Sequence, residues 1–193
     1  GCAAPNTDTT LARAVSVQGD VQVRRGDYRE WVRVELDDTF FQGDMIRVGQ
    51  QGRAGLLLHN NTFVRLDQGT SVAFLGVEKK ETSLFKILSG AAMFFSRFPR
   101  ALKVFTPYVN ANVEGTEFLV QVDREQTIVT VFEGKVAAAN DLGSLSITRG
   151  QSLSAQASQP PMLRTVLQPR DAVQWALYYP PVIHYQPDDF SPD

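Results

Sequence analysis

The stretch from Lys103 to Val122 constrains the fold of this chain more than any other part of the sequence. It contains two short β-patterned segments, interrupted at Pro107 and Gly115. After Gly115, apolar residues alternate between the two faces of a strand, with one face carrying Phe118, Val120 and Val122. Such alternation is typical of a strand that is buried on one side. The pattern therefore predicts a strand on each side of Gly115, with Gly115 as a hinge where the chain reverses and takes a backbone angle suited to glycine.

The preceding part of the chain has the rhythm of an all-β protein. Apolar segments recur at intervals of about eight to ten residues and are bounded by glycine, asparagine or aspartate, which favour turns. These segments are Met45–Val48, Ala54–Leu58, Thr62–Leu66 and Ser71–Val77. Gly19-Asp20 and Asn60-Asn61 are each predicted to form the turn of a tight hairpin, because glycine and asparagine tolerate positive φ angles.

Two short templates recur and suggest a degenerate internal repeat. In the first template a strand enters, a glycine turns it and a strand leaves, as in 17–23, 88–94 and 132–138. The second template, at 41–46 and 148–153, follows the first and third copies by similar distances. Such repeats bury their apolar edges against each other. We therefore expect an all-β stack of short strands and hairpins, either solenoid-like or sandwich-like.

Composition divides the chain into three parts. Residues 1–10 are small and polar, which predicts a flexible tether, and 11–158 are predicted to form the β domain. Residues 159–193 are predicted to be an extension with one short helix at 169–179, because Pro169 suits a first helical turn and Trp175 and Tyr179 lie one turn apart. We expect the segment from Pro169 to Tyr185 to fold back and cap one end of the stack. A free linker or a partner-binding peptide is the alternative.

Motifs along the predicted strands resemble the FecR domain, over roughly residues 12–155. The segment from Phe41 to Val48 resembles the earlier half of that family, in which Gly-Asp precedes an apolar strand. The later half is represented by Thr106, Pro107, Gly115, Thr116, Phe118 and Gly134. The resemblance implies a binding and signalling module without catalytic residues. FecR proteins are implied to carry iron-uptake signals from an outer-membrane transporter to a sigma factor. We keep that role only as an alternative, because no stretch here resembles the transmembrane helix of those proteins, which weakens the case for signalling.

Residues 171–182 resemble a segment that follows FecR domains in bacterial proteins that continue into tetratricopeptide repeats. This resemblance leads us to expect that the chain is the N-terminal part of a longer protein.

Cys2 is the single cysteine of the chain and stands directly after Gly1. A terminal cysteine followed by a polar tether resembles the mature end of a bacterial lipoprotein, with Gly1 as the last residue of a signal peptide. Cys2 is therefore the expected lipidation site, which would place the chain in the periplasm, anchored to the outer membrane. An ordinary exposed thiol is the alternative.

Charge and motifs argue against several classes of function. The chain has 19 basic and 21 acidic residues, which does not favour binding to nucleic acid. It has no nucleophile motif and no phosphate-binding glycine loop. The pair Glu114 and Glu117 is better explained as two solvated carboxylates than as an acid–base pair. We therefore expect no enzymatic activity, no metal and no cofactor, and we expect no transmembrane segment.

Recognition of a protein or a glycan of the cell envelope is the function that remains. One candidate surface lies in 93–103, where Phe98 would be an aromatic anchor beside the basic residues Arg97, Arg100 and Lys103, a composition common in interfaces. The alternative is that Phe94 or Phe95 packs in the core while the arginines are solvated. A second candidate comprises Trp175, Tyr178 and Tyr179, whose alternative role is docking onto the β domain.

Overall fold

The computed structural model describes residues 9–79 and 82–166, and its regular elements in these ranges are strands. The fourteen strands are β1 Ala12–Gln18, β2 Val21–Arg24, β3 Trp31–Arg33, β4 Thr39–Phe40, β5 Met45–Val48, β6 Arg53–Leu58, β7 Phe63–Leu66, β8 Ser71–Glu78, β9 Thr82–Phe105, β10 Asn110–Val122, β11 Gln126–Asn140, β12 Gly143–Thr148, β13 Gln151–Gln156 and β14 Met162–Val166. The prediction of an all-β fold is confirmed. The tether residues 1–8, including Cys2, and the predicted helix at 169–179 lie outside the described residues.

The strands form one open antiparallel sheet that folds over itself. A front sheet has the order β3-β2-β5-β8 and continues into residues 82–89 of β9. A back sheet has the order β4-β1-β6-β7, then residues 90–95 of β9, 117–122 of β10 and 126–133 of β11, and finally β13 and β14. A side sheet combines residues 100–105 of β9, 110–115 of β10 and 135–140 of β11 with β12. The long strands β9, β10 and β11 therefore belong to more than one sheet.

A continuous line of phenylalanine rings ties the front sheet to the back sheet. Phe40 of the back sheet stacks on Phe74 of the front sheet with the ring centres 5.5 Å apart, and Phe85 meets Phe94 edge-on at 5.8 Å. Phe94 then stacks on Phe118 at 4.4 Å. Each such pair contributes about 0.5–1.5 kcal/mol beyond the burial of its area. The side sheet adds its inward residues to the same core.

The hairpin predicted at Gly19-Asp20 is wrong, whereas the one at Asn60-Asn61 is confirmed. β1 pairs with β4 and β6, while β2 pairs with β3 and β5, so the turn at Gly19 carries the chain from the back sheet to the front sheet. β6 and β7 do pair with each other, and Asn61 has a φ of 64°. Alternation specifies that two segments are strands, but it does not specify which partners they take.

The hinge predicted at Gly115 is also wrong. The chain does not reverse there, because β10 runs through Gly115 as one strand, and Gly115 is not among the glycines with positive φ. The positive φ, 122°, belongs to its cross-strand partner Gly134. A Cβ atom on Gly134 would lie 2.4 Å from the Cα of Gly115, so the two backbones approach too closely for a side chain. The register shifts between Gly115 and Glu117, where both strands pass between the back and side sheets.

The glycines of both repeated templates lie where the chain passes from one sheet to another. They share a positive φ and are Gly19, Gly43, Gly90, Gly134 and Gly150. Gly90 and Gly134 lie inside the continuous strands β9 and β11, so they bend a strand and do not end it, contrary to the predicted strand–turn–strand template. The internal repeat stays a prediction. After the predicted boundary at 158, β14 adds a further strand to the back sheet.

Candidate functional site

Thr106 and Pro107 begin the turn that joins β9 to β10, with Thr106 buried and Pro107 exposed. The hydroxyl of Thr106 donates to the carbonyl oxygen of Val109 at 2.6 Å and accepts from the amide of Val109 at 3.1 Å. The same hydroxyl lies 2.9 Å from that of Thr127 on β11, and both threonines are buried. The threonine of this motif thus joins three strands at one end of the sheet, and its hydroxyl is not available to a ligand.

The remaining motif residues are structural as well. Phe118 is buried in the core against Phe94, and Gly134 takes the strained backbone angle beside Gly115. Thr116 lies in the register shift of β10, where it is half-buried. Motif residues that are buried in the core or needed for the backbone conformation are not available to contact a partner. The candidate site must therefore be sought on the exposed surface.

Glu114 and Glu117 do not form a pair, and only Glu114 is solvated as predicted. Glu114 is exposed and lies across from Lys135, whereas Glu117 is half-buried and lies across from Glu133. Burial raises the pKa of Glu117, and the negative charge of Glu133 raises it further. The prediction of two solvated carboxylates is thus wrong for Glu117, because the register places it beside another acid on a crowded part of the back sheet.

Asp44 anchors a polar network whose role the sequence pattern did not reveal. Its carboxylate is almost fully buried and accepts from the guanidinium of Arg25 at 2.8 Å. It also accepts from the backbone amides of Phe41 at 2.8 Å and Gly26 at 3.1 Å. Arg25 reaches further, to the carbonyl oxygen of Thr39 at 2.6 Å. The Gly-Asp motif therefore joins the loops before β3 and β5. In the sequence, the position of this aspartate before an apolar strand was the only indication that the motif matters.

A bulge in β9 presents Phe98 to solvent. Phe95 pairs with Glu117 and Arg100 pairs with Gly115, so residues 96–99 of β9 lie opposite a single residue of β10. The hydroxyl of Ser96 lies 2.7 Å from the carbonyl oxygen of Phe98 and 3.2 Å from that of Gly115, which fixes the shape of the bulge. Phe98 is 42% exposed. We call residues 96–99 the Phe98 bulge.

The structure keeps part of the predicted basic rim around Phe98. Arg97 is exposed within the bulge and Arg100 follows it, half-buried. Lys103 instead lies 2.6 Å from the carboxylate of Glu78, at the end of β8. Their hydrogen bond lowers the pKa of Glu78, and the positive charge of Lys103 lowers it further. Lys103 is therefore held in a surface ion pair, and the two arginines remain beside Phe98.

The alternative raised for this segment is partly confirmed. Phe94 lies fully within the core, as alternation allowed. Phe95 is half-buried on the outward side of the back sheet, where the guanidinium of Arg65 lies 5.8 Å from the centre of its ring. Of the three phenylalanines in this segment, Phe98 is the exposed one.

A second exposed surface, centred on Trp31, was missed by the sequence reasoning. Arg47 lies 4.1 Å and Arg24 5.6 Å from the centre of the Trp31 ring, which places cations against its π-electrons. Tyr28 and Val32 are strongly exposed nearby in the chain. β3 pairs with β2, and no other described strand pairs with β3. The signal, two arginines against one tryptophan, becomes visible only when the register of β2, β3 and β5 is known.

The other predicted site residues, Cys2, Trp175, Tyr178 and Tyr179, lie outside the described residues. Within residues 9–79 and 82–166, no group of three histidine, cysteine, aspartate or glutamate side chains is placed to hold a metal ion. In the same part of the chain, no helix is long and apolar enough to cross a membrane.

Comparison with known proteins finds one family match and a similar fold. Residues 44–137 match the family model described as FecR protein. No curated protein matches the chain. Two crystal structures of a candidate anti-sigma factor from Parabacteroides distasonis ATCC 8503 are similar, with TM-scores of 0.58 and 0.57. Each is 18% identical to this chain over 68% of its length, and the match spans 63% of the other chain. At this identity the likeness concerns the fold.

Proposed function

We propose that this chain, whose residues 44–137 match the FecR family model, is a non-catalytic regulatory module that recognises a protein partner and relays a signal in the bacterial cell envelope. The similar fold of a candidate anti-sigma factor supports this role over that of a passive envelope scaffold. In an anti-sigma pathway, the output is a change in transcription. The main expectation from the sequence is thereby replaced by its signalling alternative.

The Phe98 bulge is the observation that carries the proposal. An aromatic side chain held in water on a fixed backbone has little conformational entropy to lose when a partner covers it. Arg97 and Arg100 beside it supply the residue type that is enriched in protein interfaces. The buried motif residues stabilise the fold. The scaffold therefore presents the Phe98 bulge, and the buried motif residues themselves do not contact a partner.

Protein recognition is favoured over glycan recognition. Glycan sites commonly use an open aromatic face, and Trp31 is the described tryptophan that could offer one. Arg47 covers that ring at 4.1 Å, so a sugar would have to displace a cation–π contact. Binding of the protein to purified peptidoglycan sacculi is the observation that would favour the glycan alternative.

The location in the periplasm and the lipid anchor at Cys2 belong to the same proposal. They are supported by the FecR match and by the lipoprotein-like start of the sequence. Mass spectrometry of the protein from native membranes should show an acylated Cys2. An unmodified cysteine there would remove the anchor from the proposal and leave recognition at Phe98 untouched.

Transcript profiles test the signalling role directly. We expect deletion of the gene to change a defined set of transcripts, and Phe98→Ser to reproduce that change at unaltered protein abundance. Leu142→Ser is the matched control, because Leu142 is also strongly exposed but lies in the turn between β11 and β12. Unchanged transcripts after deletion would contradict the signalling role. If deletion changes the transcripts and Phe98→Ser does not, the Phe98 bulge is not the surface through which the protein signals.

A further inference from the structure

One row of residues runs across six strands on the outward surface of the back sheet. Its members are paired in register from strand to strand, and they are Gly55, Arg65, Met93, Leu119, Thr130 and Ser152. Because neighbouring strands lie about 4.8 Å apart, five steps make the row about 24 Å long. We call these six residues the outward row.

The outward row is buried although it points away from the core. Met93 lies between the core residues Ala92 and Phe94, so strand alternation directs it to the opposite side. Met93 is nevertheless only 2% exposed, Leu119 3% and Arg65 7%. The outward face of an antiparallel sheet normally meets water. Met93 and Leu119 are buried without belonging to the hydrophobic core between the sheets, so that core does not account for their burial.

We propose that residues 169–190 of the same chain lie across the outward row and cover it. The end of the described chain is close by, because Ser152, the last member of the row, pairs with Thr165 of β14. Twenty-seven residues, 167–193, follow β14. An extended chain advances about 3.3 Å per residue, so fewer than half of them would span the row.

The composition of residues 169–190 suits this surface. They carry five large aromatic side chains, which are Trp175, Tyr178, Tyr179, Tyr185 and Phe190. Aromatic rings pack well against a methionine sulfur such as that of Met93 and against the flat guanidinium of an arginine.

The charges of the outward row and of residues 169–190 are also complementary. Arg65 is the only charged member of the outward row, and with Arg53 it lines a small pocket that includes Met93 and Leu119. The segment contains Asp171, Asp188 and Asp189 against one basic residue, Arg170. A carboxylate of the segment can thus meet Arg65 while the rings cover the apolar part of the row. This position differs from a cap at one end of the stack, which would leave the row uncovered.

Methionine oxidation tests the proposal in the full chain. The chain has three methionines, Met45, Met93 and Met162. On treatment with hydrogen peroxide, the exposed Met162 should be oxidised readily, and Met93 at least about tenfold more slowly, because oxidation follows access. Peptide mass spectrometry reads each site separately. Trp175→Ala with Tyr179→Ala should raise the rate at Met93 several-fold and leave Met162 unchanged. Leu177→Ala, two residues from both Trp175 and Tyr179 and so on the opposite side of the predicted helix, should leave Met93 protected.

Three outcomes would overturn the proposal. Met93 could react as fast as Met162 in the unaltered chain, or its protection could survive the double substitution. Protection that disappears on dilution would assign the outward row to a second copy of the chain. Far-UV circular dichroism of each variant confirms that the β core is intact, so that a change at Met93 reports on its cover.

Discussion

The Asp44 network offers the sharpest test of what stabilises this fold. We consider Asp44→Asn, which keeps the size of the side chain and removes its charge. The carboxylate accepts from three donors, which are the guanidinium of Arg25 and the amides of Phe41 and Gly26. The amide group of asparagine has one accepting oxygen and one donating nitrogen. At least one of the donors would then face another donor in a buried site.

The expected loss follows from the burial of each partner. A hydrogen bond to a charged group contributes about 1.5–3 kcal/mol, and breaking a fully buried ion pair costs about 3–5 kcal/mol. The side chain of Asp44 is 5% exposed but that of Arg25 is 34% exposed, so Arg25 can recover part of its hydration. We therefore expect Asp44→Asn to lower the free energy of unfolding by about 2–3 kcal/mol. For a chain of this size, that corresponds to a Tm lower by about 4–12 °C.

Asp37→Asn is the matched control for this measurement. Asp37 also pairs with an arginine, Arg13, at 2.9 Å, but the side chain of Asp37 is 70% exposed. An exposed ion pair contributes less than about 1 kcal/mol. Urea titrations followed by circular dichroism should show a clear loss for Asp44→Asn and almost none for Asp37→Asn. Equal losses in the two variants would refute the reasoning, because burial is the main difference between the two sites.

Two further predictions concern the crossing of β10 and β11. Gly134→Ala should destabilise the protein by about 1–3 kcal/mol and by more than Gly115→Ala, because only Gly134 has a positive φ; equal thermal shifts would contradict this. Since the pKa of Glu117 is raised in the folded protein, its ionisation opposes folding, and stability should fall as the pH rises through the interval above 4.5. Glu117→Gln should therefore be more stable than the unaltered protein at pH 7, with the gain vanishing near pH 4.

Strand positions could be predicted from the sequence because they depend on local pattern alone. The alternation of apolar residues at 45–48 and 71–77 requires no knowledge of partners, and both segments are strands. The partner of a strand depends on the whole sheet, so β1 and β2 looked like a hairpin although they pair elsewhere. Gly115 was assigned the positive φ of Gly134 for the same reason: each glycine lies in an apolar run, and only the register identifies the one that bends.

The candidate site was predictable to a similar degree. The sequence allowed either Phe94 or Phe95 to pack in the core, and the structure places Phe94 there. The ion pair of Lys103 with Glu78 was not foreseen, because it joins residues that are 25 positions apart in the sequence. Trp31 and the outward row were missed, since each is assembled from strands that are distant in sequence and adjacent only in the sheet.

The FecR-like motif and the recognition surface proposed at Phe98 therefore consist of different residues. Thr106 joins three strands, Gly134 permits a close crossing, and Phe118 lies within the aromatic core. A substitution at any of these positions acts on stability first, and affects recognition only through the fraction of folded protein. Phe98 makes no comparable contribution to the core, so its replacement should alter recognition at nearly constant stability. A module whose stability and recognition are separated in this way can change partners through the bulge alone while the scaffold is kept.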